Sequence, residues 1–301
     1  FVPQIVPKVA HLDLYQRTPP WIMPKPDRSI SSAERALFKL APKSQEAVRN
    51  AIYLQLESRV LGFVLNPRVM KIAELQARRH IRKAIKDPVL RKKVTPDYTF
   101  GCKRVLISND YLPSLAQSNV DVLTQGIKEV KAHSIVGDDG VERPVDTIIY
   151  GTGFKAQDPI PRGAVFGKNG VDLIDTWQQG AQAYLGSAVN GFPNFFMLMG
   201  PNTGLGHSSM VFMIESQIAY VMDCLKQMQN KGWKEVDVRA LVQQNFNTDL
   251  QEKLGNSVWS TGCKSWYVNA DGKNTTLWPG FTFDFRRKTA TFDAKNYDTV
   301  S

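Results

Sequence analysis

Two short stretches of this chain put cations where a protein could grip an anion. The first is Gln16-Arg17-Thr18, at the end of His11-Leu12-Asp13-Leu14-Tyr15, which alternates like a short strand. In a dinucleotide-binding βαβ unit the second strand ends beside the adenosine ribose. An acidic residue there binds the 2′-OH of NAD, whereas an Arg accommodates the 2′-phosphate of NADP. The Arg17 guanidinium can donate bidentately, and Thr18 adds a hydroxyl donor. Taken alone, an Arg at a strand end is more often a surface residue. The second stretch is Lys103-Arg104, within Phe100-Gly101-Cys102-Lys103-Arg104 and shortly after Thr95-Pro96-Asp97-Tyr98. Adjacent cations on a loop entering a strand can clamp phosphate or stabilise a developing oxyanion. Spacing alone favours a basic loop with no task.

Two glycine-bearing turns add to these. Asp146-Thr147-Ile148-Ile149-Tyr150 reads as an apolar strand running into Gly151-Thr152-Gly153-Phe154. Glycines there let backbone approach a ligand, or simply make a crossover turn. Phe195 to Met199 reads as another strand, followed by Gly200-Pro201-Asn202-Thr203-Gly204-Leu205-Gly206-His207 and a helix over roughly 208–229. A loop feeding a helix N-terminus offers unpaired N–H groups and a positive dipole end, suited to negative charge on a reduced flavin's pyrimidine ring. It is also a common way to start any helix.

Around these turns the elements follow from local pattern. Val2 to Ala10 closes a helix, and prolines 19 and 20 end the first strand. Residues 33 to 93 read as helical, broken at Pro42 and Pro67, with Asp87-Pro88 opening a short capped helix. Beyond Tyr98 the pattern turns β-rich. Val120 to Thr124 is a strand, and 127–136 and 141–149 flank Gly137-Asp138-Asp139-Gly140, a hairpin signal. The helix after Gly200 carries Val211, Ile214, Ile218, Val221 and Leu225 as an apolar stripe. The tail is aromatic, with Trp259, Trp266, Tyr267, Trp278, Phe281, Phe283 and Phe285.

Composition narrows the classes. The chain has 301 residues, 22% charged and 43% hydrophobic, values of a soluble globular protein able to bury a real core. No apolar run is long enough to span a bilayer. Cys102, Cys224 and Cys263 are far apart and odd in number, which argues against a disulfide framework and fits a reducing, cytoplasmic compartment. The four histidines, His11, His80, His133 and His207, do not pair with one another or with cysteine at ligand spacing, so no metal site is expected. The formal charge is +10, and much of the excess lies in Arg78, Arg79, Arg82, Lys83, Lys86, Arg91, Lys92 and Lys93. Val69, Ile72, Leu75, Ile81 and Ile85 interleave with them. A solvated helical face is the ordinary reading of such a run. An anionic partner, a cofactor phosphate or membrane surface, is the other. Nucleic acid is disfavoured because the aromatics do not interleave with the cations.

In this order the segments resemble the flavin-dependent Baeyer–Villiger monooxygenases. The matching pieces are Phe1-Val2-Pro3-Gln4-Ile5, Tyr15-Gln16-Arg17-Thr18-Pro19-Pro20-Trp21, Asp87 to Lys93, Thr95 to Arg104 and the Gly-Thr-Gly-Phe turn. Tyr184-Leu185-Gly186, Gly191-Phe192-Pro193-Asn194, Gly200 to Gly204 and Ser265-Trp266-Tyr267 complete them. Tyr150-Gly151 stands where the family commonly has another residue and Ala. The resemblance implies an α/β fold, a partial two-dinucleotide-binding-domain flavoprotein with Rossmann-like halves and a helical insertion. It divides the chain into residues 1–24 and 101–150, the C-terminal part of an NADP-binding domain; 25–100, the insertion; and 151–301, the returning half of an FAD-binding domain.

What the resemblance implies for single residues is specific. Arg17 and Thr18 match positions that hold the NADP 2′-phosphate, and Lys103 matches a residue assisting them. Arg104 matches an arginine that sits over the flavin and stabilises the anion formed there. Met210 matches a flavin contact, and Trp266 a tryptophan that closes over the nicotinamide cofactor. Thr152, Gly153, Asn202 and Thr203, in the two glycine-bearing turns, are expected to bind cofactor. The implied cofactors are FAD and NADPH, and the implied reaction takes a small carbonyl compound and O₂ to an ester or lactone. Because the family's two glycine-rich motifs would lie before Phe1, the sequence is expected to be truncated. The rival expectations are an oxygenase acting on nitrogen or sulfur, and a non-catalytic remnant serving as a binding module.

Overall fold

Alternation makes Leu12–Tyr15 a strand, β1, which follows the short helix α1 (Val2–Ile5). The computed structural model describes residues 1–153 and 160–301, so Phe154 of the Gly-Thr-Gly-Phe turn lies outside the described residues. In chain order come β2 (Ile22–Met23), α2 (Ser32–Leu40), α3 (Pro42–Glu57), α4 (Met70–Ala84), α5 (Pro88–Val94), β3 (Leu106–Ile107) and α6 (Tyr111–Leu115). Next are β4 (Val120–Leu123), β5 (Ile127–Val130), β6 (Ser134–Gly137), β7 (Glu142–Pro144) and α7 (Leu173–Thr176). The last are α8 (Met210–Lys231), β8 (Glu235–Val238), α9 (Ala240–Gly255), α10 (Thr282–Lys288) and β9 (Tyr297–Val300). The architecture is mixed α/β. Contacts divide the chain into a first unit, Phe1–Ser29 with Met70–Phe154, and a second, Ile30–Val69 with Lys155–Ser301. That division cuts the expected 25–100 insertion: α2 and α3 fall in the second unit, α4 and α5 in the first.

In the first unit β1 and β4 pair in parallel, from Leu12 opposite Val120 to Tyr15 opposite Leu123, and β2 pairs in parallel with β3. Trp21, Ile22, Ile81, Ile85, Val94, Phe100, Leu112, Leu115 and Val122 are buried in this unit. On α4 the buried side is Met70, Ala77 and Ile81, while Ile72 and Leu75 of the expected apolar series are exposed. The Asp-Gly hairpin forms between β6 and β7, and β5 pairs antiparallel with β6. The run expected as one strand over 127–136 is split in two, closed by the Lys131 N–H donating to Ser134 O at 2.9 Å. Residues 146–150 form no strand, and Ile149 and Tyr150 are exposed. Strand propensity needs a ladder partner, and among the described residues this segment has none. At α5, Asp87 caps as expected, accepting from the N–H groups of Val89 and Leu90, each at 3.0 Å.

The second unit is organised by α8, which begins and ends within two residues of its expected bounds but is rotated from its expected phase. The buried residues are Met213, Ser216, Gln217, Tyr220 and Cys224; Val211, Ile218 and Leu225 of the expected stripe are exposed. Gln217 is the reason an apolar count misleads. Its amide N–H groups donate to Gly186 O and Ser187 Oγ at 2.9 Å each, and its Oε1 accepts from Met199 N–H at 2.9 Å. A buried amide with all its bonds made costs little. Tyr184 and Tyr220 both donate to the Asp293 carboxylate at 2.5 Å, joining α8 to the turn before β9, which pairs antiparallel with β8. Phe195–Met199 makes no strand; it has a single bridge, between Ala188 and Phe196, and Met199 adopts φ 58°. The aromatic tail is largely core, with Trp259, Tyr267, Trp278 and Phe285 buried. Cys224 is a buried free thiol whose pKa burial raises to about 12. Cys102 and Cys263 are not free thiols, against the expectation for them, since sequence separation carries no information on a thiol's partner in space. Among the described residues no helix is long and apolar enough to cross a membrane.

Candidate functional site

The first unit holds four of the expected residues on two connected supports. Gln16 extends the parallel ladder, its N–H donating to Leu123 O at 2.8 Å, and its Oε1 accepts from Tyr111 Oη at 2.7 Å. Arg17 and Thr18 then leave the sheet just past the carboxyl end of β1, where open parallel sheets bind ligands. Both are exposed, and Arg17 has no hydrogen bond or ion pair among the described residues.

After the prolines the chain drops into the core at Trp21, which is fully buried. Its Nε1–H donates to Tyr98 O at 2.9 Å, its backbone N–H to Tyr98 Oη at 3.3 Å, and its ring packs 5.6 Å from Phe100. Lys103 Nζ in turn lies over the Tyr98 ring at 4.7 Å, a cation–π contact. The loop carrying Lys103 and Arg104 is thus tied through Tyr98 to the strand that follows Arg17 and Thr18. Arg104 is exposed and has no hydrogen bond or ion pair among the described residues. Its charge is uncompensated there. Thr152 and Gly153 are exposed too; Gly153 has φ 88° with open space where a Cβ would stand, so backbone conformation rather than crowding calls for glycine.

His11 precedes β1 and approaches Asp13 Oδ1 at 3.3 Å and Asp121 Oδ2 at 3.4 Å, the latter on the paired strand β4. These three have metal-ligand chemistry that the search for paired His and Cys passed over. His11 and Asp121 are more than half exposed, so the cluster lies at the surface.

In the second unit the Gly200 loop is fastened from below. Asn202 Nδ2 donates to Asn274 O at 2.7 Å and Leu277 O at 3.1 Å, and Thr203 Oγ1 donates to Gly200 O at 2.7 Å. Both side chains are buried, and these bonds shape the loop. A Cβ on Gly200 would stand 2.3 Å from Gly186 O, and one on Gly186, whose φ is 59°, 2.1 Å from Thr203 Cγ2. Only glycine fits either place. Met210 opens α8 half-buried; the N-cap, Ser209, makes no side-chain cap, so the positive end of this 22-residue helix lacks a side-chain acceptor at its cap. Trp266 is half exposed, its ring 4.4 Å from that of Tyr267.

His207 is the residue sequence reasoning passed over. It is buried, yet both ring nitrogens lack a hydrogen-bond partner, as do the neighbouring Ser208 Oγ and Trp259 Nε1. Phe63 packs against both rings, 6.4 Å from His207 and 5.9 Å from Trp259. Burial, reinforced by the positive charge of Arg59, lowers the His207 pKa to about 4. Glu57 Oε1 stands 3.9 Å from His207 Nε2, beyond hydrogen-bond reach. Its carboxylate is held elsewhere, accepting from Thr282 N–H and Thr282 Oγ1 at 2.8 Å each. The imidazole is therefore neutral and able both to donate and to accept. The signal available in sequence was slight: a histidine directly after a glycine-rich loop.

No family model matches the chain. Over 299 residues, 99% of its length, it is 59% identical to a Baeyer–Villiger monooxygenase of Pseudomonas aeruginosa, of which it covers 57%. A Baeyer–Villiger monooxygenase of Streptomyces coelicolor is 45% identical over 301 residues, with 99% of this chain and 58% of that protein covered. The solved structure of OTEMO in complex with FAD and NADP is similar with a TM-score of 0.81 at 23% identity, covering 99% of this chain and 64% of that one, a likeness of fold. Through identity sustained along nearly its whole length, the chain is similar to these Baeyer–Villiger monooxygenases, a little over half of whose length it spans.

Proposed function

We propose that the protein is an FAD- and NADPH-dependent monooxygenase that inserts oxygen next to a carbonyl, turning a small ketone or aldehyde into an ester or lactone. The observation that carries this reading is the pair of cationic stretches in the first unit, Arg17-Thr18 and Lys103-Arg104, tethered through Trp21 and Tyr98. Arg17, Thr18 and Lys103 would hold the NADPH 2′-phosphate. Arg104 would offer a fixed positive charge to a bound anionic group. The residues present fit a flavin as well. The α8 N-terminus has no side-chain cap, and four buried polar atoms at His207, Ser208 and Trp259 are without partners. Met210 and the backbone of the Gly200 loop would line the flavin, with Asn202 and Thr203 setting the loop's shape rather than touching the ligand. Thr152 and Gly153 would let backbone approach a cofactor, and Trp266 would cover the nicotinamide.

When bound, reduced FAD supplies the reaction with O₂ that the side chains cannot perform. The protein's share is to bind, orient, exclude water and hold charge. A cytoplasmic setting, where NADPH is at hand, accords with this.

Arg17→Ala tests the reading on the protein as expressed from its own gene. The bidentate contact to a doubly charged phosphate is worth roughly 1.5–3 kcal/mol. The preference for NADPH over NADH in kcat/KM is therefore expected to fall by about tenfold or more, mostly through a raised NADPH KM. An unchanged preference would remove Arg17 from the phosphate site.

A further inference from the structure

The cations of α4 and α5 have no task in the proposed reaction, yet they do not make an evenly solvated face. Arg78 and Arg82, four residues apart on α4, share one side of the helix. Opposite them stand Arg91 and Lys92 of α5, with Thr95 just beyond. Together they line a cleft of about 380 Å³ in the first unit, with Ile81 and Pro88 as its apolar wall. At roughly 30 Å³ per water that space is larger than a single tetrahedral anion fills.

The charge in this cleft is poorly balanced. Arg78 is paired with Glu74 at 2.8 Å and lies 5.0 Å over the Trp21 ring. Arg82, Arg91 and Lys92 have no ion pair among the described residues. Asp87, the nearest acid in sequence, caps α5 and also feels the charge of Arg91, but makes no ion pair with it. Arg91 is fixed by one bond, Nη2 donating to Lys86 O at 2.6 Å, and its buried Nε–H has no partner at all. A buried guanidinium donor left unmade is costly. Three like charges brought to one concavity are a second cost. A ligand bearing several anionic oxygens offsets both.

We propose that this cleft binds a small diphosphate-bearing molecule, at a site separate from the one assigned to the NADPH 2′-phosphate. The arginine forks suit phosphate oxygens bidentately, and Lys92 adds a mobile point charge at the rim.

Calorimetric titration of the protein with inorganic pyrophosphate tests this. One saturable site that persists in Arg17→Ala is expected. Its affinity falls with salt, weakens about tenfold or more in Arg82→Ala/Lys92→Ala, and is kept in Arg79→Ala/Lys83→Ala, which removes equal charge from exposed α4 positions outside the cleft. Binding is also kept in Arg17→Ala, which separates this site from the NADPH reading. Equal weakening in both double variants would reduce the effect to diffuse attraction and overturn the proposal. Loss of binding in Arg17→Ala, or tighter binding of citrate than of pyrophosphate, would overturn it as well. Capture by phosphatidylglycerol vesicles that pyrophosphate does not compete away would place the phosphate on a lipid headgroup and end the soluble-ligand assignment.

Discussion

Arg104→Ala is expected to lower the rate of ketone oxygenation by a factor of about 10²–10³, the usual effect of removing one fixed group that stabilises developing charge. The reasoning starts from its surroundings. Arg104 has no ion pair or hydrogen bond among the described residues, whereas Lys103 beside it is engaged on the Tyr98 ring. A guanidinium that supports no part of the fold can be removed at little structural cost, so thermal stability should move by no more than about 0.5 kcal/mol. NADPH affinity should also hold, because Arg17, Thr18 and Lys103 remain. Loss in kcat with KM preserved would separate Arg104 from the phosphate-binding residues. Arg104→Lys is expected to recover only part of the rate, since an ammonium lacks the planar fork. Full ketone oxygenation in Arg104→Ala would remove Arg104 from the stabilisation of that charge.

Stability should fall on acidification through a single residue of the second unit. The folded His207 pKa is about 4, against an unfolded value near 6.5. Above about pH 6.5 both states leave the ring neutral, and the full stability is present. As pH falls toward 4 the unfolded chain takes up a proton that the folded chain refuses, and stability is lost. Below 4 both states are protonated and the loss is complete. The term amounts to about 3 kcal/mol. The Glu57 carboxylate, 3.9 Å from Nε2 and bonded to Thr282, makes no hydrogen bond to the ring. Denaturant titrations from pH 7.5 to 4 would show this slope, and His207→Leu should flatten it. The same substitution removes two unpartnered nitrogens from the interior, so at pH 5 the variant should be at least as stable as the parent. An unchanged slope in His207→Leu would mean the ring is solvated or paired in solution.

Much of this was legible locally. The strand at Leu12–Tyr15, the strand after Val120, the turn of the Asp-Gly hairpin, the Asp87 cap and, to within two residues, the extent of α8 depend on neighbours within a few residues and form where expected. Features that depend on remote partners were not legible. Residues 146–150 and 195–199 have strand composition, but a strand exists only where another pairs with it. The phase of α8 is set by Gln217 reaching Gly186, some thirty residues earlier. Glu57 reads as an ordinary last-turn residue of a helix, yet it is buried because Thr282, 225 positions away, brings its N–H and hydroxyl to it. The division into units follows the same logic, since Tyr53 and Glu57 clamp Thr282 and draw α3 into the second unit. At the site, Asn202 and Thr203 were legible as special residues, but the remote carbonyls of Asn274 and Leu277 that accept from Asn202 were not.

We propose that oxygen from O₂ enters beside a carbonyl. It is tested most directly by supplying the protein, as expressed from its own gene, with FAD, NADPH, a cyclic ketone and isotopically heavy dioxygen. The expected product is a lactone carrying one heavy oxygen atom, formed with consumption of one NADPH per lactone. NADPH oxidised with the ketone returned unchanged, or heavy oxygen appearing only on an added amine or sulfide, would contradict it.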